Sequence, residues 1–204
     1  MKYFVFFLFL YFAAPSFSET TAQKSIRDRV VHIETFASKG GNYGTGVWFD
    51  QDHVITATHV VAKQKTIHLK MPDRTVAATV INTSQDVALL KSSSPSQFTT
   101  LPIADVSIGD DIFFWSTYDA VKDKTNKIIP VLNKSFVAAK NYRKEKEDGF
   151  ILGTYLLPGA SGSGAFNENG ELVGIVSATV QNGDCEWYTV VTDTSLVRSV
   201  LSKR

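Results

Sequence analysis

Three residues in separate segments of the chain carry the chemistry of acyl transfer: a histidine, an aspartate and a serine. His59 follows an apolar run that ends in small residues, Asp86 opens the apolar run 87–90, and Ser161 lies in a glycine-rich segment. A serine hydroxyl is a weak nucleophile that needs an adjacent base, and histidine, which titrates near neutrality, can take its proton. A buried carboxylate orients the imidazole and stabilises its charged form. These residue types therefore predict covalent catalysis by Ser161, with His59 as base and Asp86 as its carboxylate partner.

The glycines around Ser161 indicate a second component of the same chemistry. Acyl transfer passes through a tetrahedral intermediate that needs N–H donors, and loss of one such donor typically lowers the rate by about 10²–10³. The N–H groups of Gly159 and Ser161 can point the same way only where the backbone turns sharply, and glycine permits such a turn. We therefore predict an oxyanion hole formed by Gly159 and Ser161. Ser163, which also lies between two glycines, is the rival nucleophile.

The three segments resemble the signatures of the trypsin-like serine proteases, and they occur in that family's order. They read Ile-Thr-Ala-Thr-His (55–59), Asp-Val-Ala-Leu-Leu (86–90) and Gly-Ala-Ser-Gly (159–162). Their compact spacing is similar to that of the bacterial HtrA-type and glutamyl-endopeptidase-type enzymes, and segments 108–112 and 169–175 resemble further HtrA-type strands. The resemblance runs from about Val30 to the C-terminus and places the nucleophile at Ser161 rather than Ser163. It also implies that Ser177 hydrogen-bonds the carboxylate of the triad.

The chain departs from the family pattern at several points. Ala160 precedes the nucleophile where family members usually have Asp or Asn; since Asp there binds a freed N-terminus in zymogens, we expect no activation of that type. Ser116 replaces a glycine that is usual in HtrA-type enzymes. The chain ends at Arg204, so we expect no peptide-binding PDZ domain of the kind common in HtrA-type proteins.

The resemblance also implies a primary substrate pocket. Its base falls on Tyr155 and its far wall on residues 176–178 and 189–191, so the expected pocket residues are Tyr155, Val176, Ala178 and Thr189. No acid lies at the base, which disfavours Lys or Arg before the cut. No histidine follows His68, which disfavours Glu. We expect a small or medium apolar residue there; alternatively, Tyr155 is a core residue and the pocket is built otherwise.

Short apolar runs rich in Val, Ile, Phe and Thr recur along the chain with turn residues between them, which is typical of a sandwich or of barrels. With the resemblance, this predicts an all-β fold of two packed six-stranded antiparallel β-barrels. We expect the N-terminal barrel at about 25–100 and the C-terminal barrel at about 106–193. Helix is expected only at the ends, around 22–29 and over 194–203, with Thr194 as the N-cap of a short C-terminal helix.

The first 18 residues have the pattern of a secretory signal peptide. Lys2 gives a positive start, residues 3–15 are almost all apolar, and Ser16 to Ser18 supply a small-x-small cleavage site. The apolar run is shorter than the roughly 20 residues that a membrane-spanning helix needs. We therefore expect a signal peptide at 1–18 and a protease domain at 19–204, secreted or periplasmic, with no membrane span after cleavage. An uncleaved N-terminal anchor is the alternative.

Composition excludes several other classes of function. Lys plus Arg number 21 and Asp plus Glu number 20, so no basic face is predicted and nucleic acid is not an expected partner. Cys185 is the only cysteine, which excludes an internal disulfide and argues against a zinc site in this chain. We read Cys185 as an incidental thiol and expect no metal or other cofactor. The oligomeric state is not indicated.

The function predicted from the sequence is therefore serine endopeptidase activity on extracytoplasmic proteins or peptides through an acyl-enzyme. A catalytically inactive protein that uses the same fold for binding is the alternative, because the departures near Ser161 would matter if they distorted the oxyanion loop. A protease dedicated to processing one partner is a third interpretation.

Overall fold

The computed structural model describes residues 18–36, 41–62, 66–144, 147–182 and 186–202. Within these ranges the chain forms two closed barrels of six antiparallel strands each. The all-β prediction with a short C-terminal helix is therefore confirmed. The elements are α1 (Thr21–Arg27), β1 (Val30–Phe36), β2 (Tyr43–Trp48), β3 (His53–Ala57), α2 (Thr58–Val61), β4 (Thr66–Lys70), β5 (Thr75–Ser84), β6 (Val87–Ser92), β7 (Asp111–Lys122), β8 (Ile128–Lys144), β9 (Glu147–Leu152), β10 (Gly164–Phe166), β11 (Leu172–Asn182), β12 (Glu186–Thr192) and α3 (Thr194–Leu201).

The first barrel has the strand order β1-β2-β3-β6-β5-β4. It closes where β1 pairs with β4, with Ile33 opposite Leu69. Closure leaves no free sheet edge, and side chains that alternate inward fill the interior. Ile33, Ile55, Leu69 and Leu89 are all fully buried there. The run 87–90, which is buried at every position, forms the first four residues of β6 directly after Asp86.

The second barrel has the strand order β10-β11-β12-β9-β8-β7 and closes where β10 pairs with β7. Its pairing is interrupted at β11, because Val176 lies opposite Val191 and Ala178 lies opposite the next residue, Val190. Ser177 is therefore the extra residue of a β-bulge. A bulge leaves one residue out of the ladder and re-aims it, and bulges are common beside active sites.

A continuous apolar core joins the two barrels. Buried side chains of the second barrel, among them Phe113, Phe166 and Leu172, belong to the same cluster as the interior of the first barrel. The C-terminal helix α3 completes this cluster with its buried face of Leu196, Val197, Val200 and Leu201. The two barrels are thereby held in one relative position, which a site built from both of them requires.

The helices differ in detail from the sequence-based expectations. The N-cap of α3 is Asp193, whose carboxylate accepts a hydrogen bond from the N–H of Ser195, so the assignment of Thr194 was wrong. Thr194 is instead the first helical residue, and its hydroxyl donates to Asp105 at 2.6 Å. A helix away from the chain ends was not expected, yet α2 forms a single turn directly after β3. A helix of four residues is too short to produce a periodic pattern of apolar residues in the sequence.

The core that joins the barrels supports a stability prediction. Phe166 is 1% exposed and stacks on Phe113 with ring centroids 5.7 Å apart. Phe166→Ala leaves a cavity between the barrels, and we expect the free energy of unfolding to fall by about 3–5 kcal/mol. Urea denaturation measures this loss.

Phe136→Ala is the matched control, because it removes the same atoms from a side chain that is 50% exposed. We expect that variant to lose less than about 1 kcal/mol. Equal losses in both variants would contradict a core that is shared by the two barrels.

Candidate active site

His59 and Asp86 lie against each other at one end of the first barrel. The Nδ1 atom of His59 is 2.9 Å from Oδ2 and 3.0 Å from Oδ1 of Asp86, and the backbone N–H of His59 donates to Oδ1 at 3.0 Å. The side chain of His59 is 50% exposed and that of Asp86 only 11%. The carboxylate is thus largely shielded from solvent, whereas about half of the imidazole surface is exposed.

Local backbone structure places both side chains. His59 is carried by the single-turn helix α2, whose first N–H, that of Thr58, donates to the carbonyl of Asp86 at 3.0 Å. Asp86 is the second residue of a two-residue turn between β5 and β6, in which Gln85 has a positive φ of 49°. Tight hairpin turns of this length require such a left-handed residue. The carboxylate therefore leaves the barrel at a defined point and angle.

Ser177 connects this pair to the second barrel. Its hydroxyl donates to Oδ2 of Asp86 at 2.5 Å, and its carbonyl accepts a hydrogen bond from the hydroxyl of Ser161 at 3.3 Å. The bulge at Ser177 frees the residue from the β11–β12 ladder, which makes both contacts available. The structure thus brings His59, Asp86, Ser161 and Ser177 together at the junction of the two barrels.

The segment around Ser161 is a series of tight turns. The N–H of Ala160 donates to the carbonyl of Leu157, and Gly159, at the third position of that turn, has a φ of +107°. A positive φ at the third position is the mark of a type II turn. Among the backbone and side-chain hydrogen bonds of the described residues, none uses the N–H of Gly159 or Ser161 as donor. Neither donor of the predicted oxyanion hole therefore has an acceptor among the described residues.

Glycine is required at two positions of this segment. A Cβ at Gly159 would lie 2.8 Å from the carbonyl oxygen of Thr117. A Cβ at Gly162, whose φ is +88°, would lie 2.1 Å from both the carbonyl oxygen of Thr45 and the hydroxyl of Thr56. A side chain at Gly162 would displace the segment from β2 and β3 of the first barrel, and a side chain at Gly159 would displace it from β7 of the second barrel.

Ser163, the rival nucleophile, is fully buried, and its hydroxyl shares a hydrogen bond of 2.8 Å with the hydroxyl of Ser116. Ser116 is also fully buried. Ser116, which replaces a glycine usual in HtrA-type enzymes, is therefore the hydrogen-bond partner of Ser163. A hydroxyl enclosed in this way has no access to a substrate, whereas Ser161 lines an open cavity.

The comparisons with known proteins agree with this geometry. Residues 44–175, well over half of the chain, match the family model described as a trypsin-like peptidase domain. The chain belongs to the trypsin-like peptidase family. Within it the chain is similar to HtrA-type serine proteases, of which the periplasmic serine endoprotease DegP of Escherichia coli K12 is 29% identical over 144 residues. That match covers 66% of this chain and 30% of DegP, so the chain spans less than a third of this relative's length.

Solved structures show the same fold. The serine endoprotease from Yersinia pestis superposes with a TM-score of 0.72 at 20% identity, covering 89% of this chain and 64% of that one. A protein from M. tuberculosis H37Rv, crystallised as an inactive mutant form, superposes with a TM-score of 0.72 at 20% identity and covers 93% of both chains. Two packed barrels are thus the common architecture.

A cavity of 170 Å³ adjoins Ser161 in this trypsin-like peptidase domain. Tyr155, Val176 and Ala178, three of the four expected pocket residues, line it, whereas Thr189 does not. Thr189 is fully buried on β12, and its hydroxyl donates to the carbonyl of Thr154 at 2.8 Å. The side chain of Tyr155 is 48% exposed, so it is not a core residue. No Asp, Glu, Lys, Arg or His is among the described residues that line the cavity.

Other features lie away from this cavity. A larger groove of 880 Å³ between the barrels is lined by charged side chains of both signs and contains none of the predicted catalytic residues. No cluster of three metal-ligating side chains occurs in the described ranges. His53 pairs with Asp50 at 2.8 Å. The predicted signal peptide, apart from Ser18, and Cys185 lie outside the described residues.

Sequence reasoning missed Thr45, a residue that contacts the segment around Ser161 directly. The hydroxyl of Thr45 donates to the carbonyl of Gly159 at 2.8 Å, and its N–H donates to the carbonyl of Ser161 at 2.8 Å. Thr45 lies between Gly44 and Gly46 in the first barrel, far from Ser161 in sequence. The small flanking residues were the available signal, since they allow β2 to approach another backbone closely.

The contact between Ser177 and Asp86 can be tested by mutation. Ser177→Ala removes the only side-chain hydroxyl that donates to this carboxylate among the described residues. A hydrogen bond to a charged group contributes about 1.5–3 kcal/mol, and we expect the free energy of unfolding in urea at neutral pH to fall by that amount.

Ser135→Ala is the matched control, because the Ser135 hydroxyl is buried and has no hydrogen-bond partner among the described residues. Its removal is expected to leave stability unchanged or slightly higher. A Ser177→Ala protein as stable as wild type would show that the contact contributes nothing.

Proposed function

We propose that this chain is a serine endopeptidase in which His59, Asp86 and Ser161 form the catalytic triad. One observation carries the proposal: Asp86 is held between Nδ1 of His59 and the hydroxyl of Ser177, whose carbonyl receives the hydroxyl of Ser161. The three reactive groups are therefore linked through one bulged residue. Family membership over residues 44–175 supports the same conclusion.

In the proposed mechanism, the Ser161 hydroxyl turns from the Ser177 carbonyl towards Nε2 of His59 when a substrate carbonyl is bound. His59 takes the proton as Ser161 attacks, and then returns it to the leaving amine. Asp86 keeps the Nδ1–H tautomer and stabilises the imidazolium. The N–H groups of Gly159 and Ser161 act as the oxyanion hole, and water then releases the acyl group from Ser161.

The alternative of an inactive binding protein is not favoured. The departure at Ala160 is accommodated, because this side chain is 1% exposed and packs in the core of the second barrel. Gly159 keeps the positive φ that the turn requires, and neither oxyanion donor is occupied by another group of the described residues. A distorted oxyanion loop was the main argument for that alternative.

Substrates are proposed to be proteins or peptides outside the cytoplasm. The relative DegP is described as periplasmic, and the first 18 residues have the pattern of a signal peptide. In the described part of the chain, no helix has the length and apolarity to cross a membrane. For the residue before the cut we propose a small or medium apolar side chain, because the cavity beside Ser161 is small and lined without ionised groups.

Labelling with a fluorophosphonate tests the nucleophile. An activated serine forms a covalent phosphonate adduct, and we expect the purified protein to gain one adduct that peptide mapping places on Ser161. Ser161→Ala is expected to abolish the adduct, since the acceptor oxygen is gone. Intact mass spectrometry measures the stoichiometry.

Ser163→Ala is the matched control and is expected to retain the adduct, because the Ser163 hydroxyl is bonded to Ser116 and buried. An adduct that maps to another residue would overturn the assignment of the nucleophile. A native protein that takes no adduct would instead support the binding protein.

Specificity is tested with fluorogenic peptides that differ only in the residue before the cut. We expect kcat/KM for Ala, Val or Leu to exceed that for Lys or Glu by at least about 30-fold, since burying an unpaired charge costs more than roughly 2 kcal/mol. A profile dominated by Lys, Arg or Glu would refute the apolar pocket while leaving the triad in place.

A further inference from the structure

A buried line of hydrogen bonds extends from His32 to the nucleophile segment. Nδ1 of His32 is 3.0 Å from the hydroxyl oxygen of Thr117, which is 2.9 Å from the hydroxyl oxygen of Thr45. The hydroxyl of Thr45 donates to the carbonyl of Gly159 at 2.8 Å. His32 and Thr117 are each 3% exposed and Thr45 is fully buried. This line, which we name the His32 chain, crosses from β1 through β7 and β2 to the oxyanion loop.

Counting hydrogens gives the direction of the His32 chain. A carbonyl only accepts, so the single hydroxyl hydrogen of Thr45 is committed to Gly159. Thr45 Oγ1 also accepts the backbone N–H of Thr117 at 2.9 Å. The hydroxyl hydrogen of Thr117 then goes to Thr45 Oγ1, 2.9 Å away, and not to the more distant carbonyl of Gly44 at 3.3 Å, because otherwise no hydrogen would lie between the two threonine oxygens.

Thr117 then has no hydrogen left for His32. Nδ1 of His32 must therefore carry the proton and donate to Thr117. If Thr117 donated to His32 instead, the hydroxyl oxygens of Thr45 and Thr117 would face each other at 2.9 Å with no hydrogen between them. Two lone pairs at that distance in a buried site are strongly unfavourable.

The other side of the His32 ring agrees with this tautomer. Nε2 is buried and has no hydrogen bond within the described residues. Its closest acid is Glu34, 3.8 Å away, and Glu34 is already paired with Lys70 at 2.5 Å. Burial lowers the pKa of His32, which Glu34 partly opposes, so the ring is neutral at pH 7. A neutral ring with its proton on Nδ1 leaves only a lone pair at Nε2.

The end of the His32 chain acts on the backbone that flanks Ser161. Thr45 holds the carbonyls of Gly159 and Ser161, at 2.8 Å each, and so clamps the peptide planes on both sides of Ala160–Ser161. The N–H of Ser161 lies in the 160–161 peptide between these two planes, and the N–H of Gly159 lies in the peptide that precedes them. With the neighbouring planes held, neither N–H can turn freely away from a common point. The orientation of the oxyanion donors therefore depends on a hydroxyl of the first barrel.

We propose that His32 is a positioning residue for the oxyanion loop: its Nδ1–H, through Thr117 and Thr45, holds the carbonyl of Gly159 and thereby aims both oxyanion donors. This inference rests on the proposed function, because the oxyanion hole has a role only if the chain hydrolyses peptide bonds. His32 touches no substrate and acts only through the two threonines.

Kinetics of variants test the proposal with the purified protein. Thr45→Val and His32→Phe each interrupt the hydrogen bonds of the His32 chain. We expect kcat to fall about 10–100-fold, which is less than the loss of about 10²–10³-fold that is typical when an oxyanion donor is deleted. KM is expected to change less than about twofold. Affinity for a peptide boronate, whose tetrahedral adduct needs the oxyanion hole, is expected to fall in parallel with kcat.

Conservative variants separate positioning from general damage. Thr45→Ser keeps the hydroxyl, and His32→Asn keeps an N–H where Nδ1 lies, so both are expected to retain kcat within about threefold. Thr192→Val is the matched control, since it removes a buried threonine hydroxyl whose partner is Ile175 and not the oxyanion loop. Equal kcat losses in His32→Asn and His32→Phe, or in Thr45→Val and Thr192→Val, would overturn the proposal.

A second measurement does not depend on activity. Two-bond ¹H–¹⁵N correlation spectra of the imidazole rings, with His32 assigned by comparison with His32→Asn, report which ring nitrogen is protonated. We expect a neutral His32 with its proton on Nδ1 at pH 7. A proton on Nε2 would refute the proposal that His32 donates to Thr117 in the His32 chain. A wild-type protein that takes no fluorophosphonate would refute the proposed function, and the tautomer would still decide whether the His32 chain exists.

Discussion

The buried carboxylate of Asp86 is the group on which the arrangement of the site depends. A charge removed from water must be compensated by hydrogen-bond donors, or the site becomes unstable. Asp86 receives donors from both barrels: the backbone and Nδ1 of His59 from the first, and the hydroxyl of Ser177 from the second. One carboxylate therefore determines the angle of the imidazole and ties it to the strand that also contacts Ser161. Its compensation is complete only when the two barrels are docked.

The packing of the two barrels also shapes the segment around Ser161. The turns around Ser161 belong to the second barrel, but their carbonyls are held by Thr45 of the first. Gly162 packs so closely on β2 that no side chain fits between them. The apolar core shared by the barrels, with α3 across it, provides the rigid support that these contacts need. The proposed oxyanion donors are thus oriented by an interface and not by the local turn alone.

Much of the fold could be predicted from the sequence, because the patterns that indicate strands and turns are local. Runs such as 87–90, buried at every position, predict strands wherever they occur, and the three motifs carry their own turn residues. The single-turn helix that carries His59 and the capping of α3 by Asp193 were missed, since each is decided by one or two backbone angles. The pocket assignment carried over from the family included Thr189, whose side chain is buried and bonded to the carbonyl of Thr154 and does not line the cavity beside Ser161.

The sequence by itself determined the chemical types available, their order and the family to which the chain belongs. A serine, a histidine and an aspartate, each in its own motif, are properties of short segments that need no knowledge of distant contacts. Only the tertiary structure decided that Ser177 is bulged out of its ladder and bonded to Asp86, and that Ser163 is enclosed and bonded to Ser116. It also decided that hydrogen bonds connect His32 through Thr117 and Thr45 to the segment around Ser161. These are contacts between residues far apart in the chain, and their geometry exists only once two closed barrels pack against each other.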